Sequence, residues 1–197
     1  MEKSIVGENI TLRPIHLDDD SFVANLRSEK KVYQFLSSDR PISKEDQRNW
    51  IKSFFVNQNE YYFIIIENKT NKKKGTISLY NINNQEAEFG RYISLDAVSA
   101  IEAELLILKL GFEILNLQKI YCRTADLNSK VWSQHLQFGF EDVGFEELST
   151  KKIKLRIQEI TKLNFLKFFP YHRLMSYLLP ISAHQGAHYE NFVSFQQ

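Results

Sequence analysis

Cysteine is nearly absent. Cys122 is the only one in the chain, which excludes a disulfide framework and suits a reducing compartment. No set of Cys and His residues has metal-ligand spacing, so no metal is expected. No apolar run approaches the ~20 residues needed to cross a bilayer. The start, Met1-Glu2-Lys3-Ser4, is not followed by the hydrophobic core of a signal peptide. The expectation is a cytoplasmic protein without a transmembrane segment. Charge of one sign is also lacking. The net charge of +1 makes no electrostatic case for nucleic acid or an anionic membrane. Glycine and proline are scarce, 7 and 4 residues, against 15 Phe and 9 Tyr. That balance favours long regular elements over disorder.

What is present reads as one α/β domain over residues 1–160 with an extension over 161–197. Residues 10–15 alternate as a short strand. Leu17-Asp18-Asp19-Asp20 opens a helix, with aspartates in the first turn where the macrodipole favours them. Ser43 caps the next helix, with Asp46 three residues on, and Trp50, Ile51, Phe54 and Phe55 follow at helical spacing. The apolar run at 61–66 predicts a strand covered on both faces. Strands at 75–82 and 86–94 complete an antiparallel meander. Then come a long apolar helix at 99–115, a strand at 119–124, a helix at 128–138 ended by Gly139, and a closing hairpin at 140–148 and 151–160. A mixed sheet with helices on both faces satisfies this order. The extension is strongly apolar around Pro170. It predicts one or two appended helices that dock on the core or form a homodimer interface, since it lacks the dense basic face of a membrane-surface helix.

Two segments carry chemistry. In Glu86-Ala87-Glu88-Phe89-Gly90-Arg91-Tyr92-Ile93-Ser94, strand alternation puts Glu86, Glu88, Gly90 and Tyr92 on one face. Paired carboxylates at the end of a strand include a candidate general base; the plain alternative is a solvated sheet face. Ser99 with Glu102 then reads as a capping box. The amides of such a helix start can take a phosphate or diphosphate, although many capped helices bind nothing. In the second segment, Asn128 is a good N-cap, and Val131, Trp132, His135 and Leu136 form one stripe. His135 therefore faces inward, as a satisfied core histidine or as a group able to exchange a proton at physiological pH.

These segments resemble the GNAT superfamily of acyl-CoA N-acyltransferases over roughly residues 8–160. The stretch Ala97-Val98-Ser99-Ala100-Ile101-Glu102-Ala103 stands where family members carry a glycine-containing turn followed by Thr-Glu-Ala. The Glu-Ala pair matches, and Phe112 is spaced as in many members. Asn128 through Gly139-Phe140 resembles the motif in which Asn starts a helix ending in Leu-Gly-Phe. The departures are Val98, in place of a glycine, and His135, in place of the tyrosine that protonates the departing thiolate.

The resemblance implies a splayed, mostly antiparallel mixed sheet that takes acetyl-CoA as co-substrate. The pantetheine arm would lie along Tyr92, Ile93 and Ser94, the diphosphate on the amides of Val98, Ser99, Ala100 and Ile101, and Asn128 on the far side of the arm. A primary amine would lose a proton to Glu88, through a water, and attack directly. An amide near Ile93 would stabilise the oxyanion, and His135 would protonate the leaving thiolate. The acceptor that the resemblance favours is a nucleotide-linked amino sugar. Arg27, Tyr33, Trp50 and Glu86 are candidates to bind it, and Lys31, Arg40 and Arg48 are further cations on the same elements. An N-terminal acetyltransferase of the ribosomal-protein type and a non-catalytic acyl-CoA-binding or interaction module are the other two readings.

Overall fold

The apolar run at 61–66 is buried on both sides because it lies deep inside an eight-stranded sheet. In the computed structural model, which describes residues 4–36, 38, 40–56, 60–148 and 153–168, this run is β3 (Tyr61–Glu67). The other strands are β1 (Ile5–Val6), β2 (Ile10–Pro14), β4 (Lys73–Asn83), β5 (Glu86–Ser94), β6 (Lys119–Ala125), β7 (Glu141–Leu148) and β8 (Ile153–Thr161), in the order β1-β2-β3-β4-β5-β6-β8-β7. Neighbours are antiparallel except β5 and β6. A parallel pair needs a long crossover, supplied here by α4 (Ala97–Lys109) and a π-helical turn over Leu110–Ile114.

Alternation along β3 divides the core. Tyr62, Ile64 and Ile66 point to one face, where they pack with Ile15, Val23 and Ile51 from α1 (Asp20–Ser28) and α3 (Lys44–Phe54) and the loop before them. The one-turn α2 (Lys30–Tyr33) follows α1. Phe63 and Ile65 point to the other face and join α4 residues Leu105 to Leu108 with Ile77, Leu79 and Phe89. α5 (Ser129–Gln137) ends as expected at Gly139, whose φ of +95° would strain any other residue.

Several local expectations are corrected. A 3₁₀ turn over Leu17–Asp19 precedes α1, and Asp19 and Asp20 serve as buried charge partners. Asp19 accepts from the His16 amide at 2.8 Å and pairs with Arg13 and Lys73 at 2.8 and 2.7 Å; Asp20 pairs with Arg48 at 2.8 Å. Ser99 and Glu102 do not form a capping box. α4 begins two residues earlier, and its cap is Asp96. Glu102 is fully buried and instead accepts the Asn9 amide at 3.1 Å, tying the turn before β2 to the helix. The structured core also runs past residue 160. α6 (Lys162–Lys167) buries Phe165 against Phe112, ring centroids 5.0 Å apart. The rest of the extension, and the dimer expected of it, lies outside the described residues.

Candidate active site

β5 and β6 pair only from Glu86–Lys119 to Phe89–Cys122. Beyond that point β5 stays with β4 as far as Ser94, and β6 stays with β8 as far as Ala125. The sheet therefore parts between Gly90–Ser94 and Arg123–Ala125. A cleft of about 410 Å³ opens there, lined by main chain and side chains of both strands and by Asn128, Val131 and His135 of the α5 segment.

A β-bulge lies at the fork. Ser78 pairs with Gly90 and Thr76 with Ile93, so two residues, Arg91 and Tyr92, stand opposite one. Arg91 takes φ +46°, and the Thr76 hydroxyl donates to its carbonyl at 2.8 Å. The bulge re-phases the strand, which corrects the expected alternation. Arg91 joins Glu88 and Gly90 on the α1–α3 face, while Tyr92 turns to the α4–α5 face and packs on Phe89, centroids 5.3 Å apart.

Glu88 forms the cleft floor on the α1–α3 face and is 2 % exposed. Its Oε1 accepts from the Tyr80 hydroxyl at 2.8 Å and Arg123 Nε at 3.0 Å, and its Oε2 from Asn81 Nδ2 and Arg123 Nη2, both at 2.9 Å. Four donors fill the lone-pair positions of a carboxylate. The Tyr80 hydroxyl reaches it because position 90 is glycine; a Cβ there would meet that hydroxyl at 2.8 Å. Burial and the Glu88 charge push the Tyr80 phenol well above its ordinary pKa, so it remains a donor.

The same face carries arginines set among aromatic rings. Arg91 lies 4.2 Å from the Tyr80 ring centroid and 5.0 Å from that of Trp50, and is paired with Glu60 at 2.8 Å. Arg27, on α1, hydrogen-bonds the neutral Gln47 side chain at 3.1 Å. Burial lowers its pKa, and Arg91 adds to that effect. Among the described residues it makes no ion pair.

On the other face His135 is buried. Its Nδ1 lies 2.8 Å from Glu104 Oε1, and its ring packs edge-on to Phe89 at 5.2 Å. Gln134 donates to the second Glu104 oxygen at 2.6 Å and to the Tyr92 hydroxyl at 2.9 Å. Burial opposes a charge on the imidazole, but the Glu104 carboxylate and the Cys122 sulfur outweigh it and raise the pKa to about 10. The Glu104 carboxyl thus favours the protonated form of the imidazole.

Of the residues expected at the site, Glu88, His135, Tyr92, Ile93, Asn128, Arg27 and Trp50 line one cleft. Asn128 stands at the N-cap position of α5 without using its side chain as a cap, leaving that side chain for the cleft. Tyr33 does not line the cleft, and Glu86 pairs with Lys119 at 3.0 Å at the opposite end of β5. Lys31, Arg40 and Arg48 pair with Glu29, Asp46 and Asp20. Ser94, Val98, Ser99, Ala100 and Ile101 lie beyond the cleft. The Ser99 and Ala100 amides are taken by Asp96, through its side chain at 2.8 Å and its carbonyl at 3.1 Å. Sequence reasoning missed Tyr80, Arg91, Arg123 and Glu104. Only Glu104 left a signal, as a carboxylate beside the apolar run Leu105 to Leu108 of α4.

Among the described residues no cluster of His, Cys, Asp and Glu could hold a metal, and no helix is long and apolar enough to cross a membrane.

The sheet forks between two parallel strands, with a helix starting just past the fork, and the main chain of β5 is open to the cleft. The model of the acetyltransferase (GNAT) domain family matches residues 9–141; the chain belongs to this family and is an acyl-CoA-dependent N-acetyltransferase. It is 26 % identical over 144 residues to a spermidine N(1)-acetyltransferase of Vibrio cholerae, covering 71 % of this chain and 83 % of that protein. Among solved structures it is similar to apo FdhC, described as a nucleotide-linked sugar GNAT, with a TM-score of 0.72 and 22 % identity over 96 % of this chain and 99 % of that one. A Vibrio cholerae spermidine N-acetyltransferase in complex with CoA and spermine has a TM-score of 0.72 at 21 % identity, covering 81 % of this chain and 99 % of that one. These structural likenesses carry the fold.

Proposed function

We propose that this enzyme acetylates the primary amine of a nucleotide-linked amino sugar, using acetyl-CoA. The observation that carries this reading is the charge of the acceptor side. Glu88, the only carboxylate lining the cleft among the described residues, is neutralised by Arg123. Arg91 is neutralised by Glu60, and Arg27 is left with a neutral partner. Among the described residues this guanidinium has no counter-charge, and it lines the cleft together with Trp50 and Tyr62, which suits a diphosphate and a pyrimidine ring. Among the described residues no carboxylate of this cleft is left to receive a polycation such as spermidine, because Glu88 is paired with Arg123.

The residues fit the donor arm. The strand edge at 90–93 and the free side chain of Asn128 face the gap in which an extended amide chain would lie. The coenzyme supplies an activated thioester when bound. The protein contributes position, proton transfer and charge. Glu88 has no open lone pair, so it acts as base through Tyr80. The phenol oxygen takes a proton from the substrate ammonium while its own proton passes to Glu88 Oε1, and the freed amine attacks directly. His135, whose charged form Glu104 favours, is the proton donor to the departing sulfur. Holding amine and thioester in line in a dry cleft supplies much of the rate enhancement.

The test is a comparison of kcat/KM for uridine and thymidine diphosphate amino sugars, spermidine and short peptides. A nucleotide sugar ahead by roughly a hundredfold or more is expected. Spermidine or a peptide in first place would sink this reading.

A further inference from the structure

At the start of α4, where the resemblance places the donor's diphosphate, Asp96 holds the capping position. Asp96 Oδ1 accepts from the Ser99 amide at 2.8 Å, and Oδ2 accepts from the Ser99 hydroxyl at 3.0 Å. The carboxylate thus supplies the negative charge that a helix N-terminus attracts. Burial opposes its ionisation, but the Ser99 amide and hydroxyl and Lys74 outweigh that and hold its pKa below the ordinary range. The nearby cation is shared: Lys74 lies 3.4 Å from Asp96 and 3.0 Å from Glu67. The loop is tied at both ends, by the Leu95 amide to the Lys74 carbonyl at 2.8 Å and by the Ser94 hydroxyl to the Asp96 carbonyl at 2.9 Å. Val98, 57 % exposed, puts a branched side chain on the first turn of the helix. The helix leaves the Ala97 and Val98 amides for a ligand, and a diphosphate reaching for them would meet a fixed carboxylate.

We infer that Asp96 withholds the start of α4 from the diphosphate, so that this enzyme recognises its acyl donor by the pantetheine arm. The donor class is then an acyl-pantetheine thioester whose nucleotide half adds little to binding. The arm's own site, the fork between β5 and β6, is intact. The inference rests on the donor-dependent transfer described above.

Calorimetric titration of the full chain with coenzyme A and with pantetheine tests it. Asp96→Asn keeps an equally good N-cap and removes only the charge; an unchanged melting temperature checks the fold. The wild type is expected to bind the two ligands within about tenfold of each other, a difference of no more than about 1.4 kcal/mol. Asp96→Asn is expected to tighten coenzyme A about three- to tenfold and to leave pantetheine unchanged. Acetyl-pantetheine and acetyl-CoA should show the same ordering as donors. Coenzyme A binding more than about a hundredfold tighter than pantetheine in the wild type, or unaltered by Asp96→Asn, overturns the inference while the transferase reading stands. Binding of neither ligand would remove the donor site itself.

Discussion

His135 and Glu104 meet at 2.8 Å inside the α4–α5 side of the core, 31 residues apart in sequence and both fully shielded from water. Two ionisable groups buried this deeply are tolerated because each completes the other. Glu104→Gln keeps the shape and removes the charge, so the imidazole loses the partner that keeps it protonated. Turnover at neutral pH should fall by about tenfold or more, and the basic limb of the pH–rate profile should move to lower pH, with the KM of the acceptor nearly unchanged. A profile identical to wild type would show that His135 plays no part in proton transfer.

The same pair makes stability depend on alkali. His135 has a higher pKa folded, about 10, than its ordinary 6.5, so the folded state holds a proton that the unfolded chain releases. This contribution is whole below about pH 6.5 and is lost as pH rises through about 10. The melting temperature should drop by roughly 3 °C or more between pH 7 and 9.5, and His135→Phe should flatten that stretch of the curve. Equal slopes in the two proteins would mean that the imidazole is neutral in the folded state.

Most strands, the helix order and the two segments that build the cleft were legible in the sequence, because apolar periodicity records which faces are covered. Three features were not. The bulge at Arg91 breaks a period of two without a glycine at the positive-φ residue, so alternation along β5 put Arg91 and Tyr92 on the wrong faces. The cap of α4 was read as Ser99, whereas Asp96 holds that position. Glu102, which the local pattern assigned to Ser99, is used by the fold 93 residues away, at Asn9. Tyr80 and Arg123 reach Glu88 from two different strands, a convergence that only the sheet order β4-β5-β6 creates.

Tyr80→Phe tests the relay more cleanly than a change at Glu88. It removes one hydroxyl and leaves both Arg123 bonds to the carboxylate in place. Turnover should fall roughly ten- to a hundredfold without a change in coenzyme affinity. Glu88→Gln should lower turnover as well, again with donor binding unchanged, but at a further cost in stability of about 1–3 kcal/mol because Arg123 loses a charged partner in a half-buried setting. Full activity in Tyr80→Phe would leave Glu88 a structural anchor for Arg123 and nothing more.

Arg27 separates the acceptor classes. It projects from α1 and lines the cleft together with Trp50 and Tyr62, with Gln47 as its hydrogen-bond partner. Charge-assisted bonds to a phosphate contribute about 1.5–3 kcal/mol. Arg27→Met, which keeps much of the apolar stem, should therefore raise the KM for a nucleotide amino sugar by roughly ten- to a hundredfold with kcat little altered. The loss should be smaller at high salt, where the wild type is itself screened. For a cationic amine such as spermidine the sign reverses: removing a buried positive charge should lower its KM. Steady-state kinetics with both acceptors on the two proteins reads this directly. A variant that loses spermidine turnover while keeping nucleotide-sugar turnover would place the cation on the wrong side of the argument, and the acceptor would have to be sought among polyamines.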